Sequence, residues 1–253
     1  MDKRNIDRSF TAVILCAGRG TRIAKTTKLP KSLLKINGKS IIDRTLEALE
    51  KNQVKKVNIV TGYKASLLKK HVLKRNNKKI SIKFIKNKNP IKYGNSYSLY
   101  LGIKNIKSDI IIMDGDLIVD QKIISKIYHS KNNILFVGKG NISDKECAKT
   151  LIDKNGNVKK TIDKRFLSNN EIKNYNFIGE AIGIIKISKE NFLGFNNCCK
   201  KFLKNKKNLG LNWEHLINSY VVKNTLKFIK IKRLKWIEVD TTDDYCKAKK
   251  LFK

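Results

Sequence analysis

The sequence predicts a single α/β domain on a mostly parallel, doubly wound sheet, with antiparallel strands added in its C-terminal half. Three observations predict it. Short apolar runs bounded by Gly, Asn or Asp alternate with stretches of helical periodicity over residues 1–130, the rhythm of strand–helix–strand units. The first run, Ala12-Val13-Ile14-Leu15-Cys16, reads as a buried parallel strand and breaks into Ala17-Gly18-Arg19-Gly20-Thr21-Arg22. Past residue 130 the apolar runs follow one another without obvious crossovers, and Asn155-Gly156 between two of them is a strong hairpin signal. At 253 residues the chain can bury its core as one domain, with halves 1–130 and 131–253.

Taken in order, the strand at 12–16 and its glycine turn are followed by a helix over 41–52, carrying Ile41, Ile42, Leu46 and Leu49 near helical spacing. A strand over 56–60 turns at Thr61-Gly62, a helix spans 65–74, and a third strand spans 80–85. Tyr93-Gly94-Asn95-Ser96 is a loop, with a helix running on to about residue 106. The apolar run at 109–113 is a buried strand ending in Asp114-Gly115-Asp116. In the second half, strands are expected at 134–138, 148–153, 158–162 and 182–187, and helices at 189–204 and 213–222. Strands at 226–231 and 236–239 lead to Asp240, and a last helix starts near Thr242. Doubly wound sheets bind ligands at the carboxyl ends of their strands, where the glycine turn and Asp114-Gly115-Asp116 both fall.

Composition excludes several classes. No stretch approaches the eighteen apolar residues of a membrane span. The start, Met1-Asp2-Lys3-Arg4-Asn5, lacks the apolar region of a signal peptide. Five cysteines without C-x-x-C spacing give neither a disulfide framework nor a zinc site, and Cys198-Cys199 read as small helix residues. A reducing cytoplasm follows. Net charge is +35, but 48 of the 56 basic residues are lysine and they are dispersed over the whole chain. Nucleic-acid footprints cluster and favour arginine, so the charge reads as solvated surface and no specific nucleic-acid partner is expected. Monomer and homodimer both stay open.

Gly18 and Gly20 can take backbone angles closed to other residues and let main-chain N–H groups approach an anion. Arg19, Arg22 and Lys31 of Leu29-Pro30-Lys31 bring three cations to the same lip. Strand, glycine turn and cations together suit a triphosphate. A Walker loop would need Gly-Lys-Ser/Thr where Ile23-Ala24 stands, and a dinucleotide fingerprint would need a third glycine at Ile23. Leu15 to Arg22 with Pro30-Lys31 resembles the opening Leu-x-Ala-Gly-x-Gly-x-Arg…Pro-Lys of the nucleotidyltransferases, with Cys16 in place of the usual alanine. The likeness continues through residues 34–42 and Thr61-Gly62-Tyr63. It is nearest to the bacterial cytidylyltransferases acting on phosphocholine or 2-aminoethylphosphonate.

The resemblance implies a Rossmann-like nucleotidyltransferase sheet and transfer of CMP from CTP to a small phosphate or phosphonate acceptor, with release of pyrophosphate. A sugar-1-phosphate enzyme is the alternative, since the opening motif is shared. It further implies that Gly18, Arg19 and Gly20 hold the triphosphate, while Arg22 and Lys31 stabilise the phosphorus and the leaving group. Backbone groups near Leu15 and Ala17, with Gly62, Asn95 and Ser96, would read the base. Two acidic pairs stand at strand ends, Asp114 with Asp116 and Glu238 with Asp240. Carboxylates suit a divalent cation between phosphates. By resemblance Asp116 and Asp240 hold Mg²⁺, with Asp114 beside them, although Asp240 could equally cap the following helix. For the acceptor, Glu180 in Gly179-Glu180-Ala181-Ile182-Gly183 could pair with an ammonium group. Trp213, Tyr97 and Trp236 are candidates for an aromatic enclosure of a quaternary one, with Trp213 otherwise reading as core. His71, His129 and His215 stand in no hydrolase signature. An ionised acceptor phosphate needs no protein base, so the chemistry is alignment and charge neutralisation.

Overall fold

The sheet grows outward from β1 (Phe10–Cys16), whose seven residues are all buried. Residues 9–23, 27–75, 79–128 and 130–253 are described by a computed structural model; His129 and the residues before Ser9 lie outside it. After β1 come the short hairpin strands β2 (Lys35–Ile36) and β3 (Lys39–Ser40), then α1 (Ile41–Lys51), β4 (Lys56–Thr61), α2 (Ala65–Leu73), β5 (Ser81–Lys86), α3 (Asn95–Ile103) and β6 (Asp109–Asp114). The chain continues through β7 (Leu117–Val119), α4 (Gln121–Tyr128), β8 (Ile134–Gly138), β9 (Lys149–Ile152), β10 (Val158–Ile162), α5 (Asn169–Asn174) and β11 (Asn176–Ile187). It closes with α6 (Phe192–Lys204), α7 (Trp213–Tyr220), β12 (Lys227–Lys230), β13 (Trp236–Glu238) and α8 (Thr242–Leu251). Elements absent from the sequence reading are β2, β3, β7, α4 and α5.

Nine strands form one sheet, with the path β10-β9-β11-β6-β1-β4-β5 and β8 joining β11 to β12. β1 runs parallel to both β4 and β6, and β4 parallel to β5. β11 is antiparallel to β6, β8 and β9, and β9 to β10. The parallel half with antiparallel additions is the predicted architecture. Because side chains alternate along a strand, β1 feeds two cores. Ala12, Ile14 and Cys16 pack with Leu46 and Leu49 of α1, Leu68 of α2 and Ile123 and Ile127 of α4. Val13 and Leu15 pack on the other face with Leu99 of α3, Phe195 of α6 and Trp213 and Leu216 of α7. A smaller cluster joins Ile23, Leu34, Ile36 and Ile41 to Ile118, Val239 and Ala248. It fastens α8 and the end of the β7–β13 ribbon beside the glycine turn.

β11 does most to shape the second half. Its first residues, 176–180, pair with β9, while 184–187 pair with β6 and the opposite edge pairs with β8. The register shifts along the strand, and Gly183 has φ +70°. A Cβ at Gly183 would lie 2.6 Å from Asp114 Oδ2. Both the left-handed backbone and the space therefore demand glycine. Gly183→Ala is expected to cost about 2 kcal/mol from the backbone alone. It would also push Asp114 from its position, and a thermal melt beside an activity assay measures both effects.

Candidate active site

Two clefts, each of about 530 Å³, open at the carboxyl ends of β1 and β6. They share a wall that includes Arg22, Lys31, Asn95, Asp114, Asp116 and Asp240. One cleft is completed by Leu15, Gly18, Gly20 and Ile91. The other is completed by Glu180, Gly183, Trp213, Glu214 and Trp236. Ten of the chain's 21 acidic residues line this second cleft. In a chain of net charge +35, acid is concentrated where two ligands could meet.

The cations arrive by local geometry. Gly20 has φ +66°, and a Cβ there would stand 2.6 Å from Lys31 Cγ. The missing side chain is what lets the lysine stem cross the turn. Lys31 starts a short 3₁₀ turn, Lys31–Leu33, whose Ser32 and Leu33 are buried. Its Nζ ion-pairs with both Asp116 and Asp240. Burial would discharge this ammonium, but the two carboxylates more than reverse that and hold its pKa above the ordinary lysine value. Arg22 ion-pairs with Asp240 and, through Nη1, with Glu146 Oε2 at 3.1 Å.

The carboxylates come from two chain regions far apart in sequence. β6 ends at Asp114, and a turn through Gly115 delivers Asp116 before β7 begins. Gly115 N–H donates to Leu15 O at 3.1 Å, tying this turn to the end of β1. β7 pairs antiparallel with β13, which brings Glu238 opposite Leu117. Asp240 follows. It does not cap α8, because the Thr241 hydroxyl accepts from Asp244 N–H and the Asp244 side chain reaches back to Thr241. The Asp240 carboxylate is thereby left to Lys31 and Arg22, and these cations hold its pKa below the usual range against the effect of burial.

Asp116, Glu238 and Asp240 place carboxylate oxygens within 4.8 Å of one another, among the described residues the one acidic group so arranged. Three hard oxygen donors fit a divalent cation. Withdrawal from water and the neighbouring Asp116 push Asp114 up to about 7. Glu180 is likewise pushed up to about 7, chiefly by burial.

The other predicted residues are distributed unevenly. Leu15, Gly18, Gly20 and Asn95 line the first cleft. Arg19 is exposed, with its guanidinium 5.9 Å from the centre of the Tyr63 ring. Ala17 O accepts from Tyr63 N–H at 3.0 Å, and Gly62 packs against Ala17. Neither lines a cleft. Asn95 and Ser96 do not cap α3. Asn95 Oδ1 accepts from Trp213 N–H at 2.7 Å, and the buried Ser96 hydroxyl donates to Leu211 O at 2.7 Å. Trp213 is 2% exposed and donates Nε1–H to Asp114 Oδ2 at 3.1 Å. Tyr97 packs on Tyr93, ring centres 4.6 Å apart, away from both clefts. Glu180 and Trp236 do line the second cleft. His71 is engaged with Asp43 at 2.8 Å, far from this chemistry.

Sequence reasoning missed Glu146, Glu214 and Lys164. Lys164 lines both clefts and has φ +51°, uncommon for a residue with a side chain. Its neighbourhood is fixed by Lys149, whose fully buried Nζ donates to Arg165 O at 3.1 Å and Cys147 O at 3.2 Å. Asp163-Lys164-Arg165, a charged run at the end of a strand, was the available signal.

Comparison with known proteins agrees with this geometry. The chain is 27% identical over 246 residues to the bifunctional IPC transferase and DIPP synthase of Aquifex aeolicus, covering 95% of this chain and 51% of that protein. It is 30% identical over 125 residues to the bifunctional protein GlmU of Methanococcus aeolicus, covering 49% of this chain and 29% of that protein. The chain thus spans about half the length of the first and under a third of the second. Among solved structures, the CTP:phosphocholine cytidylyltransferase of Streptococcus pneumoniae superimposes with a TM-score of 0.74 at 18% identity, covering 97% of this chain and all of that one. The inositol-1-phosphate CTP transferase of T. maritima superimposes with a TM-score of 0.75 at 21% identity, covering 95% of each chain. These neighbours are nucleotidyltransferases, and the shared architecture is theirs. A family profile described as a domain of unknown function, DUF6564, matches residues 35–252, and the chain belongs to that family, built on the nucleotidyltransferase fold.

Proposed function

We propose that the protein is a Mg²⁺-dependent cytidylyltransferase that moves CMP from CTP to a small phosphorylated acceptor and releases pyrophosphate. The observation carrying this reading is the shared wall. Two clefts of equal size meet at Lys31, Arg22, Asp116 and Asp240, so ligands in each would present their phosphates to the same cations and carboxylates. The glycine-turn cleft takes the nucleotide and the acid-lined cleft takes the acceptor. Asp116 and Asp240, with Glu238 adjacent, would hold a divalent cation, which would supply neutralisation of phosphoryl oxygens. Lys31 and Arg22 offset charge developing on the transferred phosphorus and the departing pyrophosphate. Lys164 stands where the acceptor phosphate would lie. Five free cysteines and a nucleotide donor suit a cytoplasmic setting. No helix among the described residues is long and apolar enough to cross a membrane.

The acceptor reading first drawn from sequence is an amino-alcohol phosphate or phosphonate, with Glu180 facing its ammonium. A second reading, a polyol or sugar phosphate, is favoured by the placement of the rings. Trp213 is buried and Tyr97 turned onto Tyr93, so of the three rings only Trp236 keeps a partly exposed place in the acceptor cleft. Such a cleft lacks the aromatic enclosure that a quaternary ammonium favours.

Pyrophosphate release with four nucleoside triphosphates against phosphocholine, 2-aminoethylphosphonate and sugar and polyol phosphates tests the assignment. CTP should give the highest turnover. It should also raise the melting temperature in the presence of Mg²⁺ at 200 mM salt, because directed contacts in a cleft are screened less than open surface charge. Absence of turnover with every pair, together with an unmoved melting temperature, would overturn it.

A further inference from the structure

The acceptor-side cleft contains a carboxyl group for which the transfer chemistry has no use. Glu214 lies in the first turn of α7, lines the cleft and is 8% exposed. Its buried Oε2 has no hydrogen-bond partner among the described residues. Buried polar atoms are ordinarily paired, so an unpaired one on a residue that lines a cavity points to a partner that the cavity can supply.

The surrounding groups are already committed elsewhere. Asp163 Oδ2 accepts from Asn212 Nδ2 at 2.7 Å. Asp114 Oδ2 accepts from Trp213 Nε1 at 3.1 Å. Thr161 Oγ1 donates to the backbone oxygen of Glu214, at 2.9 Å, and leaves its side chain alone. Asn95 holds Trp213 N–H, so the turn that carries Glu214 is fastened to the nucleotide side as well. Glu214 is thus a firmly placed acid on the cleft wall, with a carboxyl oxygen that no other described residue engages.

Its chemistry selects among ligands. Burial, then the negative charges of Asp163 and Asp114, push its carboxyl well above the usual range, which favours the uncharged acid. An uncharged carboxyl both donates and accepts, and so does an alcohol. An ammonium only donates and would prefer an ionised partner, while a quaternary ammonium offers no N–H at all.

Resting on the cytidylyl-transfer reading, we propose that Glu214 is the specificity-determining residue of the acceptor cleft and that its carboxyl group hydrogen-bonds a hydroxyl group of a polyhydroxylated acceptor phosphate. The wild-type chain should then prefer a polyol phosphate to phosphocholine or 2-aminoethylphosphonate. Deleting the one hydroxyl that meets Glu214 should weaken the acceptor, because a site built around a hydroxyl is left with an unpaired buried group.

The test is steady-state kinetics of the full chain with CTP and Mg²⁺, using inositol 1-phosphate, its monodeoxy analogues, glucose 1-phosphate, phosphocholine and 2-aminoethylphosphonate. E214L should raise the acceptor KM about 10- to 100-fold, leave the KM for CTP unchanged and lose discrimination against one deoxy analogue. E214Q, whose amide also donates and accepts, should stay within a few-fold of wild type. An unchanged acceptor KM in folded E214L overturns the assignment, as does a wild-type preference for phosphocholine or 2-aminoethylphosphonate. Should E214L fail to fold, the wild-type deoxy series decides, since indifference to every hydroxyl deletion also overturns it. A wild-type chain silent with every acceptor and nucleotide overturns the transfer reading itself, and this proposal with it.

Discussion

Lys31→Ala is expected to lower kcat by about 10²–10³-fold while circular dichroism and the cooperative melt remain those of a folded protein. Lys31 is one of three cations that both clefts share, and its Nζ pairs with Asp116 and Asp240 together. Under the proposed transfer, removing it would take away charge stabilisation at the transferred phosphorus and leave two carboxylates facing each other. The sheet does not depend on this pair, because the cores lie beneath the rim and contain neither group. The melting temperature should shift modestly and the rate greatly. Arg22→Ala should follow the same pattern, since Arg22 bridges Asp240 and Glu146 across the cleft mouth. A near-wild-type rate in either variant would remove that residue from the chemistry.

The second large effect concerns the acid cluster. EDTA should abolish turnover and added Mg²⁺ should restore it. Asp116→Asn and Asp240→Asn should each raise the Mg²⁺ concentration for half-maximal rate, because each removes one ionised oxygen donor from a set of three. The same variants also free Lys31 of one partner, so a titration that follows metal dependence separates loss of affinity from loss of rate. Full activity in chelator, or unchanged metal dependence in both variants, would return these aspartates to a purely structural role.

Much of the fold was legible because the central strands are buried on both faces and therefore read as unbroken apolar runs. β1, β4 and β6 were placed within a residue or two for that reason. What escaped had weaker local signals. Strand β11 begins at Asn176, six residues before the predicted start, because Gly179 and Gly183 interrupt its apolar pattern. Those same glycines bend it between partners, so the interruption was itself the structural message. Helix α4 carries its buried Ile123, Ile124 and Ile127 at helical spacing, and α5 opens with a Ser168…Glu171 capping box. Both patterns were present and short. The β2–β3 hairpin turns on Asn37-Gly38, with φ +49° and +83°, a local turn signature.

The candidate site divides along the same line. Residues bound to a local motif, such as Gly20 and Lys31, fall where their motif sets them. Residues whose place depends on tertiary packing do not announce it: Trp213 looked like a candidate ring for a ligand, and its indole is instead buried against Asp114. Glu146, Lys164 and Glu214 reach the clefts through turns whose direction only the assembled sheet determines.

The β7–β13 ribbon stands outside the nine-stranded sheet, and this separates assembly from activity in time. Every strand of that sheet has been synthesised once Lys230 is added to the chain. Glu238 and Asp240 have not, nor has α8, which helps to cover the small cluster around Ile23 and Ile36. The main sheet can therefore form before the ribbon brings in two of the three carboxylates and the partner that Arg22 reaches across 218 positions to meet. Long-range contacts of this kind form late because their loop-closure cost is met only after local structure exists. The acid cluster is thus completed after the sheet that carries it.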